Sequence, residues 1–252
     1  MKIPCIINNF NQFEYLVPMV DQLSKFDQLA IYILDNGSSY PPLIKWYQGL
    51  QQTSVTVICL NKNIGHRAPW ATPLTYQLAW KHKSPYYIVT DPDLDLSKVP
   101  MDFLDVMKTV LNTKDVFKVG LSIEFEDLPD CYPCKKQVQD WESQMWALDR
   151  VELGNDRKLF KVGVDTTFAM YNLLFTELVP ATFRRPSYVK FNCNFIDSAY
   201  RLDRPYTARH LPWYLDPNNL SENQKFYVNS IQKKRVNPTS WNLLAFEKLK
   251  SR

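Results

Sequence analysis

Glycine is scarce in this chain, with six in 252 residues, and none of them falls in a GxGxxG or GxxxxGK[ST] pattern. A dinucleotide fold and a P-loop both need glycines where the backbone turns sharply or meets phosphate, so both are disfavoured. No GxSxG occurs, which argues against the strained elbow of a serine hydrolase. Nowhere do apolar residues run for the ~20 positions a membrane-spanning helix needs. The opening MKIPCIINNFNQ breaks its apolar run at Asn8 and lacks the core of a signal peptide. The five cysteines are odd in number and mostly scattered, which favours a reducing compartment over a disulfide framework. The single CxxC, Cys131 and Cys134, has no second pair to complete a structural zinc site. A cytoplasmic protein with free thiols is expected. The net charge of +4 is too mild for a nucleic-acid binder and suits an anionic small substrate or a membrane surface.

Against those absences, the first hundred residues alternate short apolar runs with helical patterns. KIPCIIN, LAIYILD, VTVICLN and PYYIVTD are rich in Ile, Val and Tyr and read as buried strands. Between them, NQFEYLVPMVDQLSKF carries Phe13, Val17, Val20 and Leu23 at helical spacing. Asn11 and Glu14 stand as a capping box, and Pro18 predicts a kink or a later start. PPLIKWYQGL and PWATPLTYQLAWKHK read as two further helices with prolines near their starts. This β-α-β-α order predicts an α/β fold, a mostly parallel sheet covered by helices. In the second half, MDFLDVMKTVLN and VQDWESQMWALDR read as helices, and DVFKVGLSI and VGVDTTFAMYN as strands. Residues 1–214 are expected to form one domain, 1–96 and 97–214 being its halves, with 215–252 a helical C-terminal extension.

In an open parallel sheet, ligands bind beyond the carboxyl ends of the strands. The first four predicted strands each end in a polar cluster: Asn8, Asn9, Phe10 and Asn11; Asp35, Asn36, Gly37 and Ser38; Asn61, Asn63, Gly65, His66 and Arg67; and Asp91, Asp93 and Asp95. Two carboxylates about 4 Å apart repel by about 4 kcal/mol at a surface-like dielectric, so the aspartates imply a cation. A calcium loop over DPDLDLSKVPMD is disfavoured, because Leu96 stands where glycine is required and Asp102 where glutamate is expected. Residues i and i+2 of an extended chain face the same way, which lets Asp91 and Asp93 converge on one bound diphosphate and its Mg²⁺ or Mn²⁺.

The ordered set IINNFN, LDNGSS, NKNIGHR and IVTDPD resembles the glycosyltransferases of GT-A fold, close to the large family-2 group. The resemblance covers residues 1 to about 96, while VDTTFAMY and PYTARHLPWY are similar to a subset of bacterial and viral members. It implies transfer of a sugar from a nucleotide diphosphate donor, with a UDP-sugar expected, to a hydroxyl on a glycan or glycoconjugate. Asn8 to Asn11 then touch the nucleoside, Asp35 and Asn36 the base, and Asn63, Gly65 and Arg67 line the base and phosphates. Asp91 faces the ribose and Asp93 binds the metal, with Asp95 supporting it through water. His210 is the candidate that completes the metal shell, which tilts preference toward Mn²⁺; a histidine packed between Arg209 and Trp213 is the structural alternative.

Asp165, Glu142 and Asp197 are the candidates for a base that deprotonates the acceptor. Asp165 leads, since a carboxylate in an apolar strand-like run needs a role or a partner. Trp141, Trp146, Trp213 and Tyr214 can stack on an acceptor sugar or lie in the core. The basic tail, including Lys233, Lys234, Arg235, Lys248, Lys250 and Arg252, reads as a solvated face or a contact with an anionic membrane. Two other functions compete: a sugar-phosphate nucleotidyltransferase, although IINNFNQF has neither the glycine nor the lysine of its usual loop, and a non-catalytic carbohydrate-binding protein.

Overall fold

The computed structural model describes residues 1–113, 116–155, 157–164, 168–193 and 199–231. Strands β1 (Ile3–Asn9), β2 (Leu29–Asp35), β3 (Thr56–Cys59) and β4 (Tyr86–Thr90) follow the four apolar runs. Between them come α1 (Phe13–Leu23), α2 (Pro41–Gly49), the short α3 (Ala68–Ala71) and α4 (Leu74–Lys81). The next elements are β5 (Leu94–Asp95), α5 (Phe103–Thr113), β6 (Lys118–Gly120), β7 (Ser122–Ile123) and α6 (Lys135–Trp146). Strands β8 (Arg150–Gly154), β9 (Arg157–Lys161), β10 (Ala169–Asn172), β11 (Thr176–Val179), β12 (Tyr188–Phe191), β13 (Ala199–Leu202) and β14 (Thr207–His210) precede α7 (Glu222–Ser230).

Nine strands form the central sheet in the order β3-β2-β1-β4-β10-β6-β13-β9-β8. The pairs β3-β2, β2-β1, β1-β4 and β6-β13 are parallel, and β10 and β9 are antiparallel to both of their neighbours. Seven of these nine strands therefore point one way, and the sheet is mostly parallel, as expected. Alternate side chains feed two cores. Cys5, Ile7, Ile31, Ile33 and Ile88 pack with Leu16, Leu43 and Phe103 on one face. Ile6, Tyr32, Leu34, Tyr87 and Val89 pack with Trp70, Leu78 and Ala79 on the other. Burial on both faces explains why these strands read as continuous apolar runs rather than alternating ones.

Several boundaries differ from the sequence expectation. The predicted helix PWATPLTYQLAWKHK breaks into α3 and α4, because Pro73 has no N–H to continue the ladder and instead caps α4. DVFKVGLSI divides at Leu121, whose N–H turns to the Phe168 carbonyl (3.1 Å). The capping box at Asn11 and Glu14 does not form. Asn11 adopts φ 56° and its side chain is used elsewhere, while α1 starts at Phe13 and accommodates Pro18. Among the described residues, no helix is long and apolar enough to cross a membrane.

Gly120 lies in β6 between β10 and β13. A Cβ there would meet Val164 Cγ1 at 2.2 Å and the Phe168 carbonyl at 3.2 Å. Gly120→Ala is expected to lower unfolding stability by about 1–3 kcal/mol, the usual penalty of overpacking, measured by urea denaturation.

Candidate functional site

The chain leaves β1 toward β2 and β3 on one flank and returns at β4 on the other. The boundary between β1 and β4 is therefore a topological switch point, where an open α/β sheet leaves a crevice at its carboxyl edge. Asn8 and Asn9 end β1, and Asp91 and Asp93 follow β4, so both clusters reach this crevice.

The other polar residues largely fix the loops around it. Asp35 is buried, its Oδ1 accepting from the N–H groups of Gly37 (3.1 Å) and Ser38 (2.8 Å) and its Oδ2 from the Tyr47 hydroxyl (2.7 Å). Burial, and then the Asp35 charge, push the Tyr47 phenol well above its ordinary value, so it stays protonated and donates. Asn36 donates to Asn8 Oδ1 (3.1 Å) and the Gly65 carbonyl (2.9 Å) and accepts from the Ile64 N–H (3.0 Å). Asn63 Oδ1 accepts from the Gly65 N–H (2.8 Å), and Gly65 at φ +90° occupies a conformation costly for other residues. Asn11 Oδ1 accepts from the N–H groups of Ser39 (2.8 Å) and Tyr40 (3.0 Å). Asn8, Asn9, Asn11, Asp35 and Asn36 are all buried, Phe10 is half-buried, and Arg67 is exposed beyond the Gly65 turn. As placed here, Asp35 and Asn36 hold the turns after β2 and β3 together.

The four proposed metal residues do not gather into one shell. Among the described residues, no group of three His, Cys, Asp or Glu side chains is placed to hold a metal ion. Asp95 pairs with Arg209 in the β5–β14 ladder, whereas His210 pairs with Leu94. Neighbouring positions face opposite sides, and the Asp95 carboxylate is used by the N–H (2.9 Å) and hydroxyl (3.0 Å) of Ser97. Asp93 and His210 do meet, with Nε2 lying 3.5 Å from Oδ2. Gln12 Nε2 donates to the same oxygen (3.3 Å), and the Asp93 carbonyl accepts from the Leu211 N–H (2.8 Å). Burial raises the Asp93 carboxyl, but the charge of His210 and its contacts with His210 and Gln12 outweigh that and hold it below the usual carboxylate range.

Asp93 Oδ1 and His210 Nδ1 are both buried without a hydrogen-bond partner. Such orphaned atoms are uncommon in folded proteins and call for an explanation. An oxygen and an imidazole nitrogen suit a divalent cation whose shell is completed by phosphate oxygens and water. In donor chemistry the two residues fit such an ion, although the atoms that face each other are Oδ2 and Nε2; the larger set of four does not assemble. Trp213 fixes the His210 ring edge-to-face at 4.8 Å between centroids.

The acceptor candidates separate. Glu142 is 4% exposed, and its carboxylate accepts from Arg201 Nη1 at 2.8 Å, so it is a core ion pair and not an acceptor contact. Trp213 is buried against His210, which leaves its face unavailable to a sugar, whereas Trp141 is half exposed on α6. Asp165, Asp197 and the basic tail lie outside the described residues. Sequence reasoning missed Gln12, Tyr47, Asn223 and Tyr227. The last two stand on α7, whose start carries the legible capping signature Ser221 and Gln224.

No family model and no curated protein matches this chain. Among solved structures it is similar to S. aureus TarS 1–349 in complex with UDP-GlcNAc, at 13% identity and TM-score 0.46, over 99% of this chain and 72% of that one. With the UDP complex of the same TarS fragment the match covers 49% of this chain and 36% of that one, at 15% identity and TM-score 0.35. Glucosyl-3-phosphoglycerate synthase from Mycobacterium tuberculosis in complex with UDP is similar at 11% identity and TM-score 0.38, over 69% and 57% of the two chains. The galactosyltransferase LgtC in complex with donor and acceptor sugar analogs is similar at 13% identity and TM-score 0.34, over 68% and 58%. The chain thus spans less than two thirds of the last three.

Proposed function

We propose that this protein is a metal-dependent glycosyltransferase that moves a sugar from a nucleotide diphosphate donor, a UDP-sugar, to a hydroxyl of a glycan or glycoconjugate. The observation that carries this reading is the meeting of Asp93 and His210 at the β1–β4 switch point, each with a buried atom left unpartnered. The strand-end motifs that resemble family-2 enzymes converge on the same edge.

In this reading Asp93 and His210 would hold Mn²⁺ or Mg²⁺, and Asp91, two residues before Asp93, would face the ribose. The cation would neutralise charge on the departing diphosphate. Gln12 keeps the Asp93 carboxylate aimed by its hydrogen bond to Oδ2. The network of Asn8, Asn36, Asn63 and Gly65 holds the loop after β3 that lines the nucleotide, and Arg67 lies exposed at its end to meet phosphate. The anomeric C–O bond breaks with its electron pair leaving on the diphosphate, and the acceptor oxygen forms the new bond. Asp165 is the proposed base that takes the acceptor proton, a role worth about 10²–10⁴-fold in rate.

The test is a screen of nucleotide sugars with and without Mn²⁺. Slow release of nucleoside diphosphate that depends on the metal is the expected result. Release of pyrophosphate from a nucleoside triphosphate and a sugar 1-phosphate, supplied in a parallel incubation, would make the protein a nucleotidyltransferase. No turnover, together with no UDP binding at millimolar ligand, would leave a carbohydrate-binding role.

A further inference from the structure

Helix α7 lies across the candidate donor crevice and is tied to its rim by side chains. Asn223 donates through Nδ2 to the Asn11 carbonyl (2.8 Å) and accepts at Oδ1 from the Glu14 N–H (3.1 Å). One amide side chain thus bridges the end of β1 to the start of α1. The Ser221 hydroxyl donates to Glu14 Oε2 (2.6 Å), and Asn11 Nδ2 donates to the Ser230 hydroxyl (3.2 Å). Phe226 packs on Tyr40 with ring centroids 5.0 Å apart.

Behind this helix, Gln12, Tyr15, Pro212, Leu215, Asn223 and Tyr227 are among the residues enclosing a cavity of about 20 Å³. That is space for about one water molecule, whereas ligand pockets run to about 300–1,000 Å³. With α7 in place, this space beside Gln12, whose amide donates to Asp93, has no room for a nucleotide diphosphate. Tyr227 also feels both carboxylates: burial, and then the charges of Asp93 and Asp91, push its phenol up.

The hold on α7 is largely polar, with the Phe226–Tyr40 contact its main ring packing. Asn223 is the one residue of the helix buried as a whole, while Phe226, Tyr227 and Val228 are half-buried, with the Tyr227 hydroxyl on the inner side. Elements held by few buried apolar contacts open at low free energy while the rest of the fold stays intact. We propose that α7 is a latch that closes the donor site through Asn223 and must swing away for the nucleotide to enter. The inference rests on the transferase reading and adds its regulation. Only the open fraction of molecules binds, so apparent affinity and association rate scale with that fraction.

The test compares the full chain with its Asn223→Ala variant, using fluorescently labelled UDP with Mn²⁺ in stopped flow and hydrogen exchange of the 222–230 amides. Expected are faster amide exchange in α7 and an association rate raised about 5- to 10-fold, in proportion to the open fraction. Ser230→Ala, which removes only the tie at the far end of the helix, gives a smaller rise in the same direction and serves if Asn223→Ala folds poorly. Faster α7 exchange with an unchanged association rate overturns the latch alone. Unchanged α7 exchange in both variants overturns it too. Absence of UDP uptake by every form, with α7 freed in the variants, overturns the transferase reading instead.

Discussion

Asp93→Asn is expected to reduce Mn²⁺-dependent UDP binding at least a hundredfold while moving the melting temperature by only a few degrees. The two halves of that result have separate causes. Asn keeps the volume of Asp and one acceptor oxygen for Gln12 and His210, so the packing around the site survives. Losing a charge-assisted hydrogen bond costs about 1.5–3 kcal/mol, but removing a buried carboxylate also removes its desolvation penalty, which runs to several kcal/mol per ion. In the folded protein the second term cancels part of the first, and the depressed Asp93 carboxyl shows that a modest net loss of stability remains. No such cancellation applies in metal binding, where the carboxylate supplies the negative charge and the unpartnered Oδ1. Isothermal titration of UDP with and without Mn²⁺ reads the effect directly. Asp95→Asn is the matched control and is expected to leave the titration unchanged, since its carboxylate is taken up by Ser97. Equal loss in both variants would restore the three-aspartate site and discard the pairing of Asp93 with His210.

The contrast between these aspartates shows what was legible in the sequence. The strands were readable because IPCIINN and YYIVT are buried along their whole length, which leaves a strong local signal. Their polar ends were readable for the same reason, as abrupt breaks in apolar runs. That Asp93, and not Asp91 or Asp95, meets His210 was implied by the resemblance and was not readable from the residues themselves. It depends on the register of β5 against β14, a pairing made across more than a hundred residues. The reach of α7 over β1 was hidden in the same way, since Asn223 and Asn11 are 212 positions apart. Pro73, by contrast, stood in plain view, and the periodic pattern around it was given more weight than its missing N–H.

The sharpest test of the corrected acceptor side is Glu142→Ala, expected to lower unfolding stability by about 3–5 kcal/mol, the usual result of breaking a buried pair by removing one partner. The side chains of Glu142 and Arg201 are 5% and 7% exposed, and Arg201 Nε also donates to the Gly163 carbonyl (3.2 Å). Removing the carboxylate strands a guanidinium that water reaches poorly and that cannot shed its proton. The double variant Glu142→Leu/Arg201→Met removes both charges and refills the volume, so it is expected to recover most of the loss. Urea denaturation of the three variants, including Arg201→Met alone, closes the cycle and yields the coupling between the two side chains. An acceptor-binding glutamate would behave otherwise. Its loss would spare stability and raise the acceptor KM, and the double variant would recover nothing.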